Sequence, residues 1–284
     1  MPKIAFVTDS TAYIPNDLVK KYGIIVVPQV LIWGDQTYQD GVDIQPEEFY
    51  IRLKTTKVMP TTSQVSVVTM QNTFQGLVDK GHEVLGVFIS ARLSGTLQSA
   101  AQGAEALGAV ASKITIVDSH YTAMAMGFQV LLAVRAAEQG ASLTDCVALV
   151  EKAREHVGVY FAVDTLEFLH RGGRIGGAQR FIGSALNLKP ILALKDGCVE
   201  AEGRVRTKSK ALDRLIELVA EHVKGKSNIH LATLHANAEK EARDLLDLAS
   251  IKFGAIESVL SSVSPVVGTH AGPGTVGIAF MESM

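Results

Sequence analysis

Residues 169 to 177 read LHRGGRIGG, which sets Arg171 and Arg174 on a bend rich in glycine. A guanidinium's planar fork matches a carboxylate or phosphate through two parallel hydrogen bonds, and glycines let backbone approach such a ligand closely. Four further stretches gather hydroxyls, amides and acids: TDS (8–10), PTTSQ (60–64), SARLSGT (90–96) and VDSHYT (117–122). Each is expected at the C-terminal end of a strand, where α/β sheets hold ligands. In SARLSGT, Ser94 and the Gly-Thr after it open an expected helix, whose free N–H groups and dipole favour an anion. Capping alone explains any one cluster, since Ser, Thr and Asp are preferred N-caps. Four in one half of the chain point to a site.

Other chemistries fit less well. GPGTVG (272–277) has the spacing of a dinucleotide fingerprint, but the residues after it read as a strand and the chain has no acid about 20 residues on. KGKS (224–227) has the end of a phosphate-binding loop, yet Ala220 stands where its first glycine belongs, and a helix precedes it while a strand follows. His230 and His235 fall on opposite faces of one expected strand and cannot chelate together there. Cys146 and Cys198 lack metal or disulfide spacing and read as buried thiols. Ser94, Asp118 and His270 supply the residue types of a serine hydrolase or acyltransferase, which stays as the alternative, although no GxSxG elbow is present.

The elements that must position these groups alternate. Strand-like runs at 3–10, 83–90 and 113–119 are interleaved with helical periodicity, the signature of a parallel sheet wrapped by helices. IIVVPQVLIW is a strand region in which Pro28 implies an edge or a bulge. Two helices (122–139 and 142–156) lead through Gly158 into VYFAV, and the pattern then changes. KPILALKDGCVEAEGRVRTKSK reads as a hairpin turning at Asp196-Gly197. Helices at 208–224 and 238–250, the strand NIHLATLH and two further strand-like runs complete a mixed sheet. The expectation is an α/β protein of two domains, a parallel-sheet domain over 1–158 and a mixed-sheet domain over 159–284.

The 284 residues carry 27 Lys and Arg against 29 Asp and Glu, a net charge of −2 that argues against nucleic acid as a partner. Nine basic residues against three acids between Arg171 and Lys210 form a local positive field suited to an anionic ligand or partner. Hydrophobic residues make up 47%, enough for a large core, yet no apolar run approaches the ~20 residues of a membrane span. The N-terminus goes straight into a strand without a leader pattern, so a cytoplasmic location is expected.

Taken in order, VTDST, MPTTSQ, SARLSGT, IVDS, LHRGGRI, NLKPIL and THAGPGTVGI give the chain a resemblance to the DegV family, the fatty-acid-binding subunits of bacterial fatty acid kinase. The resemblance implies two α/β domains enclosing a long acyl chain in a buried tunnel. It also implies a separate ATP-binding kinase subunit that converts the carboxylate to an acyl phosphate for phospholipid synthesis. The chain itself would be a lipid-binding subunit, not an enzyme, without cofactor or metal, in transient contact with membranes for lipid exchange. Carried onto matching positions, the carboxylate contacts are Thr62, Ser63, Ser94, Arg171 and His270. Arg174, Arg204, Arg206 and Lys208 are assigned to kinase docking. Met59, Met124, Met126, Phe168 and Phe181 are candidates for the tunnel wall, and His270 is expected to change charge near neutrality.

Overall fold

The computed structural model describes residues 3–182 and 188–284, so Asn187 at the head of NLKPIL lies outside the described residues. The first half runs β1 (Ile4–Asp9), α1 (Asn16–Tyr22), β2 (Ile25–Val27), β3 (Val30–Trp33), β4 (Gln36–Gln39), α2 (Pro46–Leu53), β5 (Thr61–Ser63), α3 (Val67–Val78), β6 (Glu83–Phe88), α4 (Thr96–Glu105), β7 (Ile114–Asp118), α5 (Ala123–Glu138) and α6 (Leu143–Ala153). The second runs β8 (Val157–Ala162), α7 (Glu167–Arg171), β9 (Lys189–Lys195), β10 (Cys198–Val205), α8 (Lys208–His222), β11 (His230–His235), α9 (Glu239–Phe253), β12 (Glu257–Ser262), α10 (Pro265–Ala271) and β13 (Val276–Met281).

Two main sheets result. A parallel sheet has the order β2-β1-β6-β7, and a mixed sheet has the order β10-β9-β8-β13-β11-β12. Helices α3 and α4 cover the outer face of the first sheet, and α8 and α9 cover the outer face of the second. Between the sheets lie α5 and α6, with α5 touching both. Eleven of the sixteen α5 residues are buried, so it has apolar contacts all round, as a helix sandwiched between two sheets must. The four inner strands of the mixed sheet, β9, β8, β13 and β11, are likewise largely buried on both faces. Along β8, Val159 and Phe161 face the central core while Tyr160 and Ala162 face α8, and a one-residue slip would exchange the two sets.

Three features differ from the sequence expectation. Pro28, which cannot donate to a sheet ladder, splits IIVVPQVLIW into β2 and β3, which belong to different sheets. β3 then pairs antiparallel with β4 and β5 in a small third sheet of order β4-β3-β5. PTTSQ is therefore an edge strand in its own right, not the tail of a parallel strand. Lastly, a short helix, α10, interrupts the two final strand-like runs. Pro265 at its first position has the φ a helix start requires and lacks only an N–H that would be unpaired anyway.

A charged clamp joins the halves away from the ends of the parallel strands. Arg135 on α5 makes two hydrogen bonds to Glu257 on β12, at 2.9 and 2.7 Å, and His230 Nδ1 lies 2.7 Å from the same carboxylate. Hydrogen bonds from His230 and Arg135 hold the Glu257 carboxyl down at about 2, against an ordinary 4.5. A depressed acid stabilises the fold fully above its ordinary value and loses that contribution as pH falls through its folded value. Stability should therefore decline between pH 4.5 and about 2. Arg135→Met should lower stability at neutral pH by about 1–2 kcal/mol and flatten that acid decline, as measured by urea unfolding across pH.

Candidate functional site

Where the C-terminal ends of the parallel strands meet the inner face of the mixed sheet, the protein encloses a cavity. It holds about 960 Å³ of empty space, its open mouth included. Val159 and Phe161 of β8, Leu194 of β9 and Leu234 of β11 form one apolar wall, opposed by Ile89 after β6 and Ala123 at the head of α5. Polar groups gather at one end, where Thr62, Ser94, Arg174 and His270 all line the space.

Register places Thr62. It pairs directly with Leu31 of β3, and opposed residues share a face. Leu31 is wholly buried in the central core, so Thr62 points inward while Thr61 and Ser63 point out. Ser63 touches the cavity's rim but is exposed, which makes it a lesser contributor than its neighbour. Thr62 Oγ1 lies 2.8 Å from His270 Nε2, 208 positions away in sequence.

The position of His270 follows from how α10 is gripped. The buried Asp40 carboxylate accepts from Val266 N–H at 3.1 Å in the first turn of α10, and from the Ser10 hydroxyl at 2.7 Å. An acid there completes an unpaired backbone donor and suits the helix dipole. Tyr13 Oη accepts from Ser264 N–H at 3.0 Å, and Tyr50 Oη donates to the Val263 carbonyl at 3.1 Å. On the other side α7 and α10 exchange large and small residues. A Cβ on Gly172 would fall 2.0 Å from His270 Nδ1, and one on Gly272 would fall 2.4 Å from the Phe168 ring. Gly172 of LHRGGRIGG thus serves close helix approach, while Gly176 and Gly177 lie against Val199 and Glu200 of β10, and the two arginines separate. Arg171 is exposed and pairs with Glu167 one turn earlier on α7. Arg174 turns into the cavity, with Nε on the Leu93 carbonyl at 3.0 Å and Nη1 on the Gly172 carbonyl at 2.7 Å. Against the expectation, Arg174 and not Arg171 lines the cavity.

Burial, with a smaller push from Arg174, lowers the His270 pKa to about 4. The ring is neutral at physiological pH, which corrects the expectation of a charge switch near neutrality. Its Nδ1 is buried without a hydrogen-bond partner. A bare acceptor costs less there than an orphaned N–H, so the proton belongs on Nε2, donating to Thr62. The Thr62 hydroxyl proton is then free to point into the cavity. Ser94 Oγ lies 3.0 Å from Thr96 Oγ1 and accepts from Thr96 N–H at 3.3 Å.

The hydrolase alternative does not assemble. Ser94 bonds Thr96, His270 bonds Thr62, and Asp118 accepts from the N–H groups of Ala91 and His120. Nothing orients the His270 ring through Nδ1, as a triad requires. GPGTVG leads into β13 and KGKS joins α8 to β11, so neither precedes a helix. Among the described residues no group of three or more His, Cys, Asp or Glu is placed to hold a metal, and no helix is long and apolar enough to cross a membrane.

The tunnel-wall candidates are displaced. Met124 and Met126 are sealed in the core by α5, Phe168 packs on Gly272, and Met59 and Phe181 also stand outside the cavity lining. Arg204 is exposed and stacks over Phe181 at 4.9 Å, and Arg206 is exposed. Lys208 is half-buried, held by the Gly274 carbonyl and Asp164, so it is tied into the fold more than its docking assignment implies. Cys146 is buried, whereas Cys198 is partly exposed beside Arg92. Sequence reasoning missed Tyr13, Gln29 and Asp40, whose roles arise only from pairing across the chain.

A family model described as "uncharacterised protein, DegV family" matches residues 3–283. A DegV domain-containing protein of Halalkalibacterium halodurans is 35% identical over 99% of both chains. Protein DegV of Bacillus subtilis is 34% identical over 98% of both. Among solved structures, a fatty-acid-binding DegV family protein from Thermus thermophilus superposes with a TM-score of 0.93 at 35% identity, covering 99% of this chain and all of the other. DegV from Bacillus subtilis, described as a fatty acid binding protein, gives 0.90 at 32% identity over the full length of both.

Two outcomes follow from the site's geometry. The His270 ring should titrate by NMR with a midpoint near 4, its neutral form stabilising the fold fully above the ordinary 6.5 and losing that effect as pH falls through 4. Gly172→Ala should cost about 1–3 kcal/mol of stability and shift the His270 resonances, because the added methyl meets the ring. An ordinary titration and a silent Gly172→Ala would show that the ring is not packed in this way.

Proposed function

The chain belongs to the DegV family, and from that premise we propose that it binds one long-chain fatty acid and presents it to a separate ATP-dependent kinase subunit for conversion to acyl phosphate. The tail lies along the apolar wall of the cavity and the carboxylate rests on Thr62, Ser94 and His270, with Arg174 beside it. The observation that carries this assignment is the Thr62–His270 pair at the end of an otherwise apolar cavity. Burying roughly 15 methylenes at ~0.8 kcal/mol each gives ~12 kcal/mol before the cost of ordering chain and protein. Affinity therefore comes from the tail. The head group's task is to offset the desolvation of a carboxylate, which is prohibitive without hydrogen-bond partners.

The kinase role draws support from two facts. Neither nucleotide-like stretch has the context a phosphate loop needs, so the phosphoryl donor comes from elsewhere. Arg204 and Arg206 are exposed on the second half and supply positive charge for a partner that carries a triphosphate. We assign docking to these two, with residues 1–158 and 159–284 as the two lobes that close on the acyl chain. The protein works in the cytoplasm, where it exchanges lipid with membranes.

Solvent extraction of the purified protein followed by mass spectrometry should yield about one long-chain fatty acid per chain. Thr62→Val and His270→Ala should each weaken fatty acid binding by about tenfold, the worth of one hydrogen bond to a charged group, while Arg171→Ala leaves it unchanged. With the kinase subunit and ATP added, acyl phosphate formation should fall in the first two variants. Protein that neither carries nor binds a fatty acid would remove this assignment.

A further inference from the structure

Behind Ser94 lie two fully buried side chains, Gln29 and Thr96, that the head-group assignment leaves unused. Gln29 sits between Pro28 and β3 with its backbone fixed on both sides. Its N–H donates to Ser10 Oγ at 3.1 Å, and its carbonyl accepts from Asp40 N–H at 2.9 Å. The side chain lines the cavity and is 2% exposed. Its Oε1 accepts from Thr96 Oγ1 at 3.0 Å, and Thr96 Oγ1 in turn lies 3.0 Å from Ser94 Oγ. Its Nε2 is sealed from solvent and makes no hydrogen bond of ordinary geometry, exerting only a weak pull on the Asp9 carboxyl.

Counting protons decides what this chain of contacts does. A hydroxyl has one proton and two acceptor pairs. With the Thr96 proton given to Gln29 Oε1, the Ser94–Thr96 contact must use the Ser94 proton. Ser94 Oγ also accepts from Thr96 N–H, so it has only a lone pair left to offer the cavity. A lone pair repels a carboxylate. Rotating the Gln29 amide by half a turn exchanges Oε1 and Nε2 without changing its shape. Nε2 then donates to Thr96 Oγ1, the Thr96 proton turns to Ser94 Oγ, and the Ser94 proton is released to donate into the cavity. The same rotation gives Nε2 a full hydrogen bond to Thr96 Oγ1 in place of its weak pull on the Asp9 carboxyl, and burial, which disfavours the charged form of that carboxyl, lets it face Oε1.

We infer that Gln29 is a positioning residue for the head group: its amide, acting through Thr96, decides whether Ser94 donates a hydrogen bond to a bound carboxylate or presents a lone pair to it. This rests on the fatty-acid assignment, since it requires a carboxylate at Ser94. Binding of the anion and rotation of the amide are linked, so each favours the other.

Palmitate and hexadecanol test the idea, because they share a tail while the alcohol can donate to Ser94 or accept from it and is indifferent to the amide. Affinities of delipidated protein are measured for both at alkaline pH, where a carboxyl introduced by Gln29→Glu is ionised and can only accept. That variant locks the Thr96 proton away from Ser94, so palmitate should weaken at least about tenfold relative to hexadecanol. Adding Thr96→Val breaks the lock and should return palmitate to within about twofold of Thr96→Val alone. A loss that persists in the double variant would be charge repulsion, and it would overturn the inference, as would no loss at all. A second measurement needs no variant: the Gln29 side-chain amide resonances of the natural sequence should move on adding palmitate but not hexadecanol, and resonances unmoved by palmitate also overturn it. If the unaltered protein binds hexadecanol and palmitate not at all, the fatty-acid assignment itself has failed, which is a different result.

Discussion

The hydrogen bond between Thr62 Oγ1 and His270 Nε2 fixes the polar end of the cavity, and the surrounding architecture holds its two ends. One end is an edge strand of only three residues, which would wander without the pairing of Leu31 with Thr62 that turns the hydroxyl inward. The other end is a seven-residue helix, too short to be stable alone. Its first turn is bonded by Asp40, its N-cap by Tyr13, and Gly268 lets it settle against Tyr50 and Phe49. Asp40, Tyr13, Tyr50 and Phe49 all come from the first half of the chain, so the imidazole from the second half is positioned largely by the first.

Arg174 brings a positive charge to the polar end of the cavity. His270 is neutral, and Arg174 spends two of its donor positions on backbone carbonyls. The acids Asp9 and Asp40 lie behind the site, not in it. Burial pushes the Asp40 carboxyl up to about 6 despite its bonds to Ser10 and Val266. An acid raised in this way favours the fold most below its ordinary pKa of 3.8 and loses that contribution as pH rises through about 6. Its bonds to Val266 and Ser10 favour the ionised form, and burial outweighs them. The arrangement persists because the helix N-terminus and Ser10 both depend on one carboxyl group.

The parts of this arrangement written in local pattern were readable from the residues. Alternating strands and helices gave the parallel sheet, and Asp196-Gly197 gave the hairpin of β9 and β10. Ordered motifs singled out Thr62, Ser94 and His270, and the fold brings all three to one cavity. What local pattern lacked was anything decided by a partner far along the chain. PTTSQ carries the composition of a loop, and only its pairing with β3 makes it a strand. Arg171 and Arg174 are equivalent as letters, but α7 ends between them, which leaves one on the helix surface beside Glu167 and turns the other inward. Met124 and Met126 look like lipid-facing residues until α5 is seen to be packed between two sheets, where both side chains are buried in the core.

A hydroxyl can serve any ligand because its proton rotates, and that freedom is also its weakness. Thr62 and Ser94 would be poor selectors of a carboxylate if their protons were free to turn away. At Thr62 the direction is set by the tautomer of His270, whose Nδ1 is packed against Gly172 without an acceptor and so leaves the proton on Nε2. At Ser94 it is set by Thr96 and Gln29. Neutral donors aimed in this way stabilise an anionic head group less than a buried ion pair would, and they leave its oxygens correspondingly less neutralised. Under the proposed function that weakness is an advantage. A carboxylate clamped by two cations would be a poor nucleophile toward a phosphoryl group, whereas one held by aimed hydroxyls keeps its electron density for the partner's reaction.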